Sequence, residues 1–315
     1  MADSHSEFIK FLDKIQLGKT KVEHLRTSRD ALRERIKAYY KDKNENIPDF
    51  HMQGSFKAHT CINQKDEDYD IDDGVYLKHL PEKKDDWLKT ESVHDEIIEA
   101  VKDHTDQQPE DKTACVRVQF KKEYHVDLAI YGEFDGKVYL ARKGTEQWEE
   151  NNPKLFTEWI LGKVKTNGEQ LRSIIKYIKK WAYYNGWNDS ISGFFITILV
   201  GNHFSQASER DDLSLYNTLV NITDYLKNNR KIIRPVVPAK DMTKSFSEAD
   251  MDKMISRFEE FREKAKEAVT GTVKKDAQEK WQSLFGDDFP KSVEEKQSNN
   301  SSSNVITREN KLWGN

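Results

Sequence analysis

Residues 51–77 read HMQGSFKAHTCINQKDEDYDIDDGVYL, and the step Asp70-Ile71-Asp72 within them decides the fold. Ile71, Val75, Tyr76 and Leu77 predict a strand over 71–77 that starts on this acidic pair. Side chains at i and i+2 of a strand leave from the same face, and two residues of rise set them about 6.5–7 Å apart. Two carboxylates so placed can hold a pair of divalent cations of the kind used for in-line displacement at phosphorus. Ligands that are all oxygen favour Mg²⁺ or Mn²⁺ over zinc. The alternation of Asp68, Asp70 and Asp72 could also suggest a calcium loop. That loop is excluded, because Gly74 falls one place late and the twelfth position is His79, not glutamate. Asp66, Glu67 and Asp68 are read as loop residues before the strand or as outer neighbours of the ligating pair.

Working outward, a third carboxylate has to come from a neighbouring strand. Asp127 lies inside YHVDLAIY, residues 124–131, among apolar neighbours where an unpaired charge is costly to bury. The alternating run TACVRVQF, residues 113–120, precedes it across a tight connection, and residues 137–141 suggest one more strand. Upstream, a short strand over 50–53 leads into Gly54-Ser55. Glycine lets a backbone approach a phosphate closely, and the serine hydroxyl and nearby amides can donate to it. A Gly-Ser pair alone means little; with the aspartate pair and Asp127 it becomes specific.

Apolar residues recur at helical spacing over 6–40, with Gly18 as a break, and again over 85–103. Beyond Pro153 the texture becomes helical: 168–184, 191–204, 213–226, 249–269 and 277–285, with the proline-containing 232–238 extended between them. From residue 292 the chain turns Ser/Asn-rich and aperiodic, as a flexible tail does.

The 315 residues are 36% hydrophobic and 34% charged, with 7 Trp, 12 Tyr and 15 Phe to build a core. A formal charge of −4 argues against gripping long nucleic acid. Cys61 and Cys115 lack paired spacing and read as reduced thiols, with Cys115 in the core. The opening MADSHSEFIKFL has no basic segment followed by an apolar stretch, and the longest apolar run, 194–201, is far short of a membrane span, so a cytoplasmic protein is expected. The nine histidines show no H-x-x-x-H spacing and there is no GxxxxGK[ST] loop, which leaves zinc chemistry and the common NTPases without support.

Gly-Ser, a spacer, Asp-x-Asp on a strand and a later lone Asp form the pattern of the polymerase-β-like nucleotidyltransferases. The longer stretches GSFKAHT, DYDIDDGVYL and VDLAIY resemble the cGAS/DncV-like branch, the bacterial CD-NTases of CBASS anti-phage systems. QLRSIIKYIKKWA, SISGFFITILV and KWQSLFGDDFP resemble that family's helical lobe. The resemblance implies an α+β fold: a mixed-sheet lobe over 1–150 that includes the N-terminal helix, a helical lobe over 151–291, an active site in the cleft between, and a tail over 292–315. It implies template-independent synthesis of a cyclic oligonucleotide from nucleoside triphosphates, ATP among them. Asp70, Asp72 and Asp127 would be catalytic and ligate two Mg²⁺ (or Mn²⁺) ions, Asp127 also serving as base. Ser55, flanked by Gln53 and Gly54, and Lys176 would contact the triphosphate, with Ser192 or Ser190 helping to hold it. On helix-face logic alone Lys176 is a solvated lysine. Rival readings are a linear or RNA-end transferase, of the 2-5A-synthetase or terminal-transferase kind, and a catalytically regulated nucleotide-binding protein. The tail, ending Leu312-Trp313-Gly314-Asn315, suits a regulatory or conjugating partner.

Overall fold

The computed structural model describes residues 2–63, 69–120, 123–144, 148–188 and 190–291. Asp66, Glu67, Asp68 and the tail from residue 292 lie outside them. By its internal contacts the chain divides into two units. One holds Leu17–Trp159 with Val236–Pro238; the other holds the described parts of Met1–Gln16, Ile160–Pro235 and Ala239–Asn315. Gly18, the N-cap of the second helix, separates α1 (His5–Ile15) from α2 (Lys19–Asp42), so the two fall in different units.

The first unit is a mixed sheet. β1 (Asp49–Gln53) leads into the short helix α3 (Gly54–Ala58), then β2 (Tyr69–Tyr76) and α4 (Thr90–Val101). Next come β3 (Glu110–Asp111), β4 (Val116–Phe120), β5 (Tyr124–Phe134), β6 (Lys137–Leu140) and β7 (Glu149–Glu150). The spatial order is β1-β2-β5-β4-β3, with β6 on β5 and β7 on β6. β2 and β5 run parallel and the other pairs antiparallel. A parallel pair needs a long crossover, here the passage through α4 and the β3–β4 hairpin.

One face of this sheet is apolar. Ile71 and Val75 of β2, Val116 and Val118 of β4, and Val126, Leu128 and Ile130 of β5 are all fully buried. α2 presents Leu25, Leu32 and Ile36 at helical spacing, and α4 presents Val93, Ile97 and Val101; both helices pack on the strands. Asp73 is the exception on that face. Its carboxylate has no exposure and takes Arg33 of α2 bidentately, Nε to Oδ2 at 2.6 Å and Nη2 to Oδ1 at 2.5 Å. Burial pushes its carboxyl upward in pKa, and the guanidinium works against that rise.

The second unit is helical: α1, then most of α5 (Pro153–Asn167), α6 (Gln170–Tyr184), α7 (Gly193–His203), α8 (Asp211–Asn229), α9 (Glu248–Thr270) and α10 (Lys274–Phe285). On sequence alone α1 groups with the sheet lobe. Here its rings join this unit instead: Phe8 lies 4.9 Å from both Tyr177 and Trp281, and Phe11 lies 4.7 Å from Phe285. Such ring pairs add about 0.5–1.5 kcal/mol each beyond area burial. α7 buries Ile196–Gly201 against α6 and α8, as its unbroken apolar run predicts. Ser247 and Asp250 form a capping box at the start of α9. Neither cysteine is in a disulfide and both are buried, and among the described residues no helix is long and apolar enough to cross a membrane.

Removing one partner of a buried ion pair strands the other charge. Arg33→Ala is therefore expected to lower unfolding stability by about 3 kcal/mol in urea titration, and Asp73→Asn added to it should restore part of the loss. Additive single-mutant effects would show that the pair is not coupled.

Candidate active site

The register of β2 against β5 builds the site. Asp72 stands opposite Asp127 and Asp70 opposite His125, all on the face away from α2 and α4. On the other side of β2, Gln53 of β1 stands opposite Asp72. Asp70 and Asp72 are half-buried and Asp127 is 8% exposed. The acidic run thus divides by strand alternation. Asp72 joins the aspartate face, while Asp73, one residue on, enters the core with Arg33.

Asp127 does not lie unpaired in its strand. Arg117 of β4 holds it from both nitrogens, Nε to Oδ1 at 2.8 Å and Nη2 to Oδ2 at 2.9 Å. That hydrogen bonding raises the guanidinium pKa. His125 Nε2 lies 3.9 Å from Asp127 Oδ2. Neither Arg117 nor His125 stood out in the sequence. The signal for Arg117 was countable: the tight hairpin pairs Phe120 with Tyr124, and stepping back three residues on each side sets Arg117 against Asp127. Burial, reinforced by the Asp127 and Asp72 charges, pushes the Cys115 thiol up in pKa, so it is no nucleophile at neutral pH.

Gly54 is required by close approach. Its φ is +67°, and a Cβ there would lie 1.9 Å from Asp72 Oδ2. Ser55 follows on α3, its Oγ 3.0 Å from Cys61 Sγ. Gln53 donates from Nε2 to the Tyr131 hydroxyl at 3.1 Å, while its Oε1 is buried without a hydrogen bond.

Lys176 and Ser192 belong to the helical unit. Lys176 is not the solvated lysine that helix-face logic allows: it is 5% exposed on α6, with Nζ 3.4 Å from Gln16 Oε1. A buried lysine needs oxygen partners, which makes this one a positioned cation. Ser192 is the N-cap of α7, its Oγ accepting from the Phe195 amide at 3.2 Å, and Ser190 Oγ meets Arg257 and the Trp187 carbonyl.

The aspartate face fits hard divalent cations. Its donors are three carboxylates on adjacent strands, and a guanidinium already sits against Asp127 as counter-charge. Among the described residues, however, the His and carboxylate trio with ligand atoms within 4.8 Å of one another is Glu45, His79 and Glu96, not the aspartates. Arg117 takes Asp127 towards β4.

Residues 48–131 match the family described as "Cyclic GMP-AMP synthase DncV-like, nucleotidyltransferase domain". A cyclic GMP-AMP synthase of Escherichia albertii is 30% identical over 198 residues, covering 59% of this chain and 44% of that protein. The chain spans about half the length of the curated relatives it matches. Among solved structures, Vibrio cholerae DncV superposes with a TM-score of 0.76 at 16% identity, covering 92% of this chain and 98% of that one. E. coli MS115-1 CdnC, solved with ATP, superposes with a TM-score of 0.71 at 18% identity over 92% and 99%. DncV has also been solved with the linear intermediate 5′ pppA(3′,5′)pG, and CdnC in a complex with HORMA-deltaN. The fold is that of DncV and CdnC.

A side chain at position 54 would displace the Asp72 carboxylate. Gly54→Ala is expected to cost about 1–2 kcal/mol of stability and to weaken Mn²⁺ binding, read by urea unfolding and by electron paramagnetic resonance. Unchanged Mn²⁺ affinity would remove Asp72 from the ligand set.

Proposed function

Taking residues 48–131 as a DncV-like nucleotidyltransferase domain, we propose that the protein joins nucleoside triphosphates, without primer or template, into a short cyclic oligonucleotide. The observation that carries this is the in-register pairing of Asp72 with Asp127, with Asp70 on the same face. When bound, two Mg²⁺ or Mn²⁺ ions held by Asp70, Asp72 and Asp127 would activate an acceptor ribose hydroxyl and neutralise the departing pyrophosphate.

The chain's own residues supply the rest. An Asp127 carboxylate oxygen takes the hydroxyl proton on a lone pair that the bidentate Arg117 contact leaves open. The new P–O bond forms at the α-phosphorus as its bond to the β-phosphate oxygen breaks. Gly54 gives Asp72 the space it occupies, and Ser55 donates to the triphosphate. Lys176 and Ser192 add a cation and a hydroxyl; Ser192 Oγ already accepts at the helix cap, so its proton is what it offers. A linear product that rebinds presents its free hydroxyl to its own 5′-triphosphate, and high effective concentration favours closure.

A charge of −4 disfavours long RNA as acceptor. The resemblance to CBASS enzymes supports a role for the product as an anti-phage signal. The HORMA complex of CdnC supports a regulatory protein partner for this chain as well.

Asp70→Asn with Asp72→Asn should keep the fold and its melting temperature, since removing two like charges relieves repulsion, while turnover falls by roughly 10³-fold. Wild-type turnover in that double variant would misplace the site. Incubation with all four NTPs and Mg²⁺ or Mn²⁺, read by mass spectrometry, should give a product that survives phosphatase and yields to phosphodiesterase. Products that all lose phosphate, or activity that needs added RNA, would instead indicate a linear or RNA-directed transferase.

A further inference from the structure

Three side chains from separate elements converge away from the aspartate face. Glu45 follows the C-terminus of α2, His79 lies three residues past the end of β2, and Glu96 is on α4. Asp70 and Asp72 lie at the opposite end of β2, within its first four residues. The convergence has a local cause. Asn44 adopts a left-handed φ of +56°, and the chain turns back so that the Glu45 amide donates to the Tyr40 carbonyl at 2.9 Å. Glu45 is thereby returned to the helix end beside Tyr40, whose ring centroid lies 5.1 Å from that of His79.

The ligand atoms of Glu45, His79 and Glu96 all lie within 4.8 Å of one another. The His79 side chain is only 10% exposed, yet neither ring nitrogen makes a hydrogen bond. Glu45 Oε2 is buried and equally without one. Buried polar atoms are almost always satisfied, so three orphans at one point call for a missing partner. His79 Nε2 stands 3.3 Å from Glu96 Oε2, a separation that is poorly aligned for hydrogen bonding. It matches the edge of about 3.3 Å between ligands of a tetrahedral ion with bonds of about 2.0 Å. Tyr40 donates its hydroxyl to Glu96 Oε2 at 2.9 Å, the outer hydrogen bond that fixes a ligating carboxylate.

We propose that Glu45, His79 and Glu96 form a second metal site that takes a divalent transition ion, zinc in the first instance, with water in the fourth position. The imidazole selects against Mg²⁺ and Ca²⁺, and the two carboxylates balance the charge of the ion. The ion would tie the end of α2, the exit of β2 and the face of α4 together, a role in stability and not in turnover.

The test uses the full chain carrying Asp70→Asn and Asp72→Asn, stripped with chelator and titrated calorimetrically with ZnCl₂ in excess Mg²⁺. One zinc per chain and a raised melting temperature are expected. His79→Gln or Glu45→Gln in that background should weaken binding by roughly tenfold or more and abolish the thermal shift, since even outer-shell changes cost that much. Absence of zinc binding, or affinity unchanged in both variants, would overturn the site. Should His79→Gln fail to fold by circular dichroism, Glu45→Gln, on the turn beyond the helix, decides alone.

Discussion

Parallel pairing of β2 with β5 is the constraint on which everything else in the sheet unit depends. With a side-chain period of two, its register sends Ile71, Val75, Val126 and Leu128 to the helix-covered face and Asp70, Asp72 and Asp127 to the other. A slip of one residue would exchange the two sets. Each buried Val, Ile or Leu contributes about 1.5–3 kcal/mol, so losing even a few removes much of the 5–15 kcal/mol or so by which a domain is stable. The apolar face therefore fixes the geometry of the acidic one.

Arginine settles the fate of two aspartates that the register would otherwise leave as buried charges. Arg33 comes from a helix and meets Asp73 in the core, where the carboxylate has no exposure at all. Arg117 comes from the neighbouring strand and keeps 30% of its side chain exposed while holding Asp127. The first pair is enclosed, so breaking it strands a charge in a medium of low dielectric. The second borders water and is screened by it. The same bidentate contact thus sits in the core in one place and at the edge of solvent in the other.

The helical unit treats its lysines in a similar way. Lys176 and Lys180 both lie on the buried side of α6, among Ile175, Tyr177 and Trp181. Lys180 is anchored to Asp288 at 2.7 Å, whereas the Lys176 ammonium faces the neutral Gln16 amide oxygen at 3.4 Å.

What the sequence by itself determined was local and periodic. Strand alternation placed Asp70 and Asp72 on one face, Gly18 and Gly54 marked breaks in the regular pattern, and the apolar run over 194–201 marked a buried helix, because each depends only on neighbours along the chain. Asp127 was legible as a charge in an apolar strand, though its partner was not picked out. Tertiary structure decided the rest: that α1 packs its phenylalanines among the helices, that Lys176 is buried, and that Arg33 reaches Asp73. It also decided that Glu45, His79 and Glu96, spread over 52 positions with no ligand spacing among them, meet at one point. Contacts between elements depend on how helices lie on a sheet, and hydrophobic periodicity records which face is covered without recording which residue covers it.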